Sequence, residues 1–189
     1  MSSFTLRRPL TPWFHSLDKR AKRAKRANGT LYRFFIVLSL YAEALMSAMS
    51  DYLENKLIDQ LFRGQTAPPT ASLYVGLLTA APSDAGGGTE VSGNGYARVS
   101  VGASLANWSG TQGATTTTVS TGSSGQTSNN VAITFPTPTG NWNTVTHFGL
   151  YDAATLGNLL FYGTLTIAKT INQADTVTFP PGSLAITFA

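Results

Sequence analysis

Side chains able to do chemistry are sparse in this sequence. Across 189 residues there are two histidines and no cysteine, so neither a disulfide nor a thiolate zinc site can form. A metal site would have to be built from carboxylates, and Asp84, Glu90, Asp152 and Asp175 fall in separate turns with no EF-hand spacing. The same scatter gives no reason to pair two of them as a glycosidase acid and base, and aspartate at a turn is the ordinary expectation. His15 lies in a basic N-terminal arm. His147 sits beside Phe148 in a strand-like run, where a hydrogen-bonded sheet histidine is expected. Gly86, Gly87 and Gly88, and then Gly93-Asn94-Gly95, resemble phosphate-cradling runs, but that use needs a helix behind the loop and here a strand follows. No G-x-S-x-G elbow occurs. Trp108, Trp142, Tyr96, Tyr151 and Tyr162 are of the type that lines a sugar platform, although aromatics at strand ends more commonly pack the core or its rim. The expectation is a protein with no catalysis, no cofactor and no metal.

The elements that would position these groups centre on residues 73–99, LYVGLLTAAPSDAGGGTEVSGNGYARV. An apolar strand runs into a turn at residues 80–84, a glycine-loaded loop follows, and a second strand opens at Tyr96. Its polar members, Asp84, Gly86, Gly87, Gly88, Glu90, Asn94, Tyr96 and Arg98, are the candidate contact loop. Around it the chain reads as all β. Residues 72–79 are nearly continuously apolar, residues 96–101 alternate, and Val131, Ile133 and Phe135 alternate before Pro136. Residues 145–151 and 159–165 make two more strands across a turn, and residues 177–179 and 184–188 the last two. Short strands at turn-marked intervals, with no βαβ alternation, predict a mainly β fold: an antiparallel sandwich or jelly-roll-like barrel. Residues 109–130 carry no charge and form a long polar loop.

One amphipathic helix precedes the sheet, over residues 50–64. Asp51 and Glu54 suit a capping box, Leu53, Leu57, Ile58, Leu61 and Phe62 share one face, and Gly64 suits the left-handed closing position. That face should cover the sheet, with docking onto a neighbouring subunit as the alternative. Residues 65–71, with Pro68 and Pro69, read as a stiff linker into the domain at 72–189.

Residues 1–49 form a basic and apolar extension. Before Ser50 nine basic residues face two acidic ones (+7), and from Ser50 onward four face seven (−3), so the net +4 averages two unlike parts. The run at 19–27 repeats its charges every three residues, which makes no amphipathic face; it reads as a solvated tail or as a phosphate-contacting arm. The mildly acidic main domain has no electrostatic reason to bind nucleic acid. Residues 34–41 are apolar but too short to span a bilayer. With Ala42-Glu43-Ala44 they imitate a secretory signal, though the basic region is overlong and Glu43 lies within the cleavage motif. Met46 and Met49 stand just ahead of the helix, so residues 1–45 also read as upstream sequence before the true start.

Four blocks in order, DYLENKLID (51–59), LYVGLLTAAPSDAGGGTEV (73–91), YARV (96–99) and FGLYDA (148–153), resemble a family of small bacteriophage and prophage virion proteins. Its members are commonly labelled tail-fibre proteins, and comparable small β-proteins decorate heads. The resemblance covers about residues 49–189. It implies a non-enzymatic structural component of a virion, of tail-fibre or capsid-decoration type, assembled in the host bacterial cytoplasm. Implied partners are capsid or tail subunits and further copies of itself, as trimer or dimer, with a host-surface glycan as a further candidate. Two alternatives stand beside it: a secreted carbohydrate-binding module, and a DNA-associated protein using the basic arm.

Overall fold

The computed structural model describes residues 37–39, 47–66 and 71–188. The chain divides into two units, Met1–Phe34 and Phe35–Ala189, and every described residue belongs to the second. The basic run at 19–27, the segment 42–44, Met46 and the Pro68-Pro69 pair lie outside the described residues, as does most of 34–41.

In chain order the elements are β1 (Val37–Ser39), β2 (Ser47–Met49), α1 (Asp51–Phe62), β3 (Ser72–Ala80), β4 (Thr89–Glu90), β5 (Val99–Gly102), β6 (Gln126–Ser128) and β7 (Ile133–Thr134). There follow β8 (Asn143–Tyr151), β9 (Leu159–Ile171), β10 (Thr176–Phe179) and β11 (Ala185–Thr187). The largest sheet runs β2-β9-β8-β3-β4, with β5 also on β3; smaller sheets run β1-β10-β7 and β11-β6. All pairings are antiparallel except β1 with β10. Alternation along each strand sends one set of side chains inward. Val75, Leu77, Phe148, Leu150 and Leu165 of the large sheet meet Ile133, Val177, Phe179 and Ile186 of the small ones in a single core. This is the antiparallel, mainly β architecture with one preceding helix that the patterning predicts. Its sheets stay open, with no closed barrel among the described residues.

Three local readings change. Tyr96, Ala97 and Arg98 lie outside the strand, which begins at Val99, because the side chains of Tyr96 and Arg98 turn onto other partners. Residues 109–130 are not all loop: β6 pairs with β11 in register Ser128 to Ala185, and Trp108 bridges Asn129. The sheet also starts before the helix, since Ser47 to Met49 pair with Gly163 to Phe161.

The helix differs most from expectation. Its N-cap is Ser50, not Asp51: the buried Ser50 hydroxyl accepts from Leu53 N–H at 3.3 Å and donates to the Leu159 carbonyl. An N-cap worth about 1 kcal/mol is thereby tied into the sheet. Tyr52 and Leu53 pack against the core, and Gly64 (φ 69) with Gln65 N–H bonding back to Asp59 closes the far end. Beyond the first turns the apolar stripe leaves the domain. Ile58 is 49%, Leu61 72% and Phe62 81% exposed, and no helix residue is buried. Only the first turns of the helix therefore meet the sheet, and its far half lies exposed. No described helix is long and apolar enough to cross a membrane.

Candidate functional site

The segment 73–99 is built around the edge of β3 that faces away from β8, where β4 and β5 pair in turn. Strand β4 pairs at Leu78 and Ala80, and β5 pairs from Ser72 to Val75, so Leu77 falls between them. Its carbonyl accepts from Val91 N–H at 2.9 Å, and its N–H donates to the Tyr96 hydroxyl at 2.9 Å. A side chain thus satisfies a backbone group where a strand would otherwise pair. The Tyr96 hydroxyl donates in turn to Glu90 Oε1 at 2.8 Å, and its ring packs edge-on to buried Trp142 at 5.2 Å.

Glu90 is the hub. Arg98 Nε donates to Oε1 at 2.8 Å and an Nη2 proton to Oε2 at 2.7 Å, a bidentate fork whose arginine side chain is only 8% exposed. Arg98 Nη1 donates to the carbonyls of Ala153 and Leu156, both at 2.8 Å, and the guanidinium lies 3.4 Å from the Tyr151 ring centroid. One cation therefore fixes the loop after β4 to the β8–β9 hairpin loop. Burial alone would lower its pKa, but the Glu90 carboxylate raises it, and the guanidinium stays charged. Burial and the Glu90 charge push the Tyr96 phenol far up, and burial pushes Tyr151 up to about 12, so both stay neutral and Tyr96 keeps the proton it donates to Glu90.

The floor of this cluster is glycine. A Cβ on Gly76 would lie 2.9 Å from Glu90 Oε1 and 3.0 Å from Tyr151 Cε2, and one on Gly149 would lie 2.8 Å from that same ring carbon. Only bare backbone lets the ring and the carboxylate sit this low on the sheet.

Beside this cluster the hairpin loop is braced at its own base. Asp152 accepts from the backbone and side-chain amides of Asn158, both at 2.7 Å. Leu156 at its tip adopts φ 55, a left-handed conformation costing a bulky residue on the order of 1–2 kcal/mol, and is 88% exposed. The turn before β4 is held likewise: Ser83 and Gly86 exchange backbone bonds at 2.9 Å, and the Tyr162 hydroxyl donates to Asp84, which raises that phenol to about 12. Asp51 N–H at the helix start donates to the Asp84 carbonyl at 2.9 Å.

The candidate contact loop thus divides in two. Glu90, Tyr96 and Arg98 are turned inward and hold the loops in place. Asp84, Gly87, Gly88 and Asn94 remain exposed, with Gly86 half-buried. Asn94 is structural as well: in the left-handed region (φ 48), it offers its carbonyl to Trp142 Nε1 at 3.0 Å and its amide to Asn141 at 2.9 Å. The four scattered acids are not brought together. Each has its own partner, Asp175 taking the Asn172 N–H. His147 meets Thr146 through Nδ1 at 2.8 Å, and burial lowers its pKa. Of the aromatics proposed as a platform, Trp142 and Tyr151 are buried, and Tyr96 and Trp108 pack against the core.

A second construction was hidden in the uncharged segment. Residues 110–125 close on themselves as an Ω-loop. Gly110 N–H donates to Thr116 Oγ1 at 2.8 Å, Thr116 Oγ1 to Gly113 at 2.8 Å, Ser124 Oγ to Thr111 at 2.7 Å and Gln112 Nε2 to Val119 at 2.6 Å. At its base, fully buried Asn129 donates to the carbonyls of Val131 and Pro180 and accepts from Leu184 N–H. Serine, threonine and amide density was the legible signal here; the pairing was not.

The four blocks that carry the resemblance converge at one end of the domain: the start of α1, the β3–β4 turn, Tyr96 to Val99 and the end of β8 meet around Asp84, Arg98 and Tyr151. No curated protein matches the chain. A family model described as Podophage GP4 fiber I protein gp80 matches residues 48–187, from β2 to the last strand. The chain therefore belongs to this family of phage fibre proteins, and is a structural component of a phage virion.

Proposed function

We propose that the chain is a surface component of the tail fibre that works through protein–protein contacts and without catalysis. The family match over residues 48–187 carries this reading. The site chemistry supports it: Glu90, Tyr96 and Arg98 are engaged with one another and with backbone, and none is left poised to attack, protonate or bind a reagent. Their work is to hold two loops rigid. The contact surfaces in this reading are the exposed members of the loop, Asp84, Gly87, Gly88 and Asn94, and the helix stripe of Ile58, Leu61 and Phe62. Leu53 and Leu57 form the half-buried side of that stripe. Assembly would take place in the cytoplasm of the bacterial host.

The test is mass spectrometry of purified particles, followed by immunogold labelling. The expected result is detection in particles with label on the fibres. Particles free of the protein overturn the reading, and label on heads replaces the fibre with capsid decoration.

A further inference from the structure

We propose that the outer edge of β10 is a strand-docking site. Residues 37–39 cap it in this chain, and once uncapped it takes an extended apolar segment of a partner protein in parallel register. The inference goes beyond the assignment to a fibre and stands on the geometry of one sheet edge.

One side of β10 is committed to its own sheet. Phe135 N–H donates to the Val177 carbonyl at 2.9 Å, so the Val177 backbone faces β7. Strand alternation then turns the backbone groups of Thr176 and Thr178 to the opposite edge. Val177 and Phe179 are fully buried, which makes that edge a fixed template. Residues 176–179, Thr-Val-Thr-Phe, carry no charge and no proline, the devices that keep an edge from pairing. Left bare, such an edge recruits a strand.

Residues 37–39 cover it in a way that marks them as an addition. Val37 pairs with Thr176, Leu38 with Val177 and Ser39 with Thr178, the one parallel pairing among the described strands. The family match covers residues 48–187, so it includes β10 and leaves β1 out. The docking edge thus belongs to the family's domain, while the strand upon it comes from outside the matched residues. Three residues in parallel register form a short ladder, whose few bonds barely exceed the entropy of ordering them. The cap therefore opens far more readily than the core. Strand β2 pairs with β9 of the large sheet, which keeps a released cap tethered. The register also sets what fits. The position opposite buried Val177 asks for an apolar residue, here Leu38, and those opposite half-buried Thr176 and Thr178 accept Val37 and Ser39 alike.

The experiment is amide exchange by NMR on the full chain and on Leu38→Pro, whose ring removes a backbone donor from the middle of the ladder. The Thr176 and Thr178 amides should exchange about tenfold faster or more in the variant, with amides at the centres of β3 and β8 unchanged. A lysine-tailed synthetic peptide of residues 34–41, FFIVLSLY, should then restore their protection saturably. The same peptide with proline in place of Leu38 should not. Should Leu38→Pro fail to fold, Val37→Gly with Leu38→Gly weakens the ladder without expelling it and carries the same expectations. Unchanged protection of Thr176 and Thr178 in a folded variant overturns the cap. An uncapped edge that ignores the peptide, or that pairs with a second copy instead, overturns the apolar segment as its partner.

Discussion

At one end of this sandwich the loops 82–98 and 152–158 are tied by Arg98, which pairs with Glu90 in the first and donates to two carbonyls of the second, while residues 110–125 fold over themselves with no charged residue. Both carry a strained non-glycine residue, Leu156 (φ 55) in the first and Thr115 (φ 66) in the second. The means of holding differ. Arg98 alone makes four hydrogen bonds and a ring contact that span three segments, so restraint is concentrated in one side chain. The Ω-loop spreads it over many neutral bonds, each worth about 1 kcal/mol or less net. Concentrated restraint gives a precisely aimed surface that a single substitution can dismantle. Distributed restraint gives a surface that tolerates change and varies little with pH or salt.

Substitution at the hub should break that comparison most sharply. Arg98→Ala leaves the Glu90 carboxylate and two carbonyls without their donor and the Tyr151 ring uncovered. A loss of about 3 kcal/mol is expected by urea unfolding, at the low end for a broken buried pair because Glu90 keeps 26% of its surface in solvent. Replacing Glu90 and Arg98 together with methionine should cost less than the two single losses combined. Additive losses would mean that the pair is not coupled.

Alkali should act on the same end with a smaller effect. The Tyr151 phenol is raised from 10.0 to about 12 chiefly by burial, and Tyr162 likewise chiefly by its bond to Asp84. A raised folded-state pKa confers stability that is complete below pH 10 and is lost as pH rises from 10 through about 12. Urea midpoints on either side of pH 10 should therefore fall less in Tyr151→Phe than in the parent. The tyrosinate absorbance that disappears in Tyr151→Phe should belong to a phenol titrating at about 12, and an equal fall of the urea midpoint in both proteins would remove this account.

The least effect belongs to the Ω-loop. Thr116→Ala removes a hydroxyl that accepts from Gly110 and donates to Gly113, both in a part-exposed setting where water replaces it. A change of under about 1 kcal/mol is expected, with faster amide exchange confined to residues 110–125. A loss as large as that of Arg98→Ala would show that the neutral loop is as concentrated in its restraint as the charged one.

Much of this was legible in one dimension. Apolar content marks β3 and β8, which are buried on both faces over much of their length, period-two patterning marks β10 and β11, whose buried faces alternate, and Gly64 marks the end of α1. Strand β6 was not, because Gln126, Thr127 and Ser128 have no apolar period and become a strand only by pairing with β11. Asp51 read as the N-cap because a capping box needs only local spacing. Ser50 won because its hydroxyl also reaches Leu159, over a hundred residues away. Residues 84–98 read as one polar segment, but the inward turn of Glu90, Tyr96 and Arg98 depends on partners brought together only by the fold.

By itself, then, the sequence determined the class of fold, the position of the helix, the charge division at Ser50 and the scarcity of reactive side chains. Periodicity, composition and turn chemistry act between near neighbours, and those are written in order along the chain. Tertiary structure alone decided that Glu90 and Arg98 face inward, that Gly76 and Gly149 form the floor beneath Tyr151, and that Leu156 faces outward. Each of these depends on groups that meet only after β3, β8 and the loops have packed, with the carbonyls of 153 and 156 more than fifty residues from the arginine that holds them.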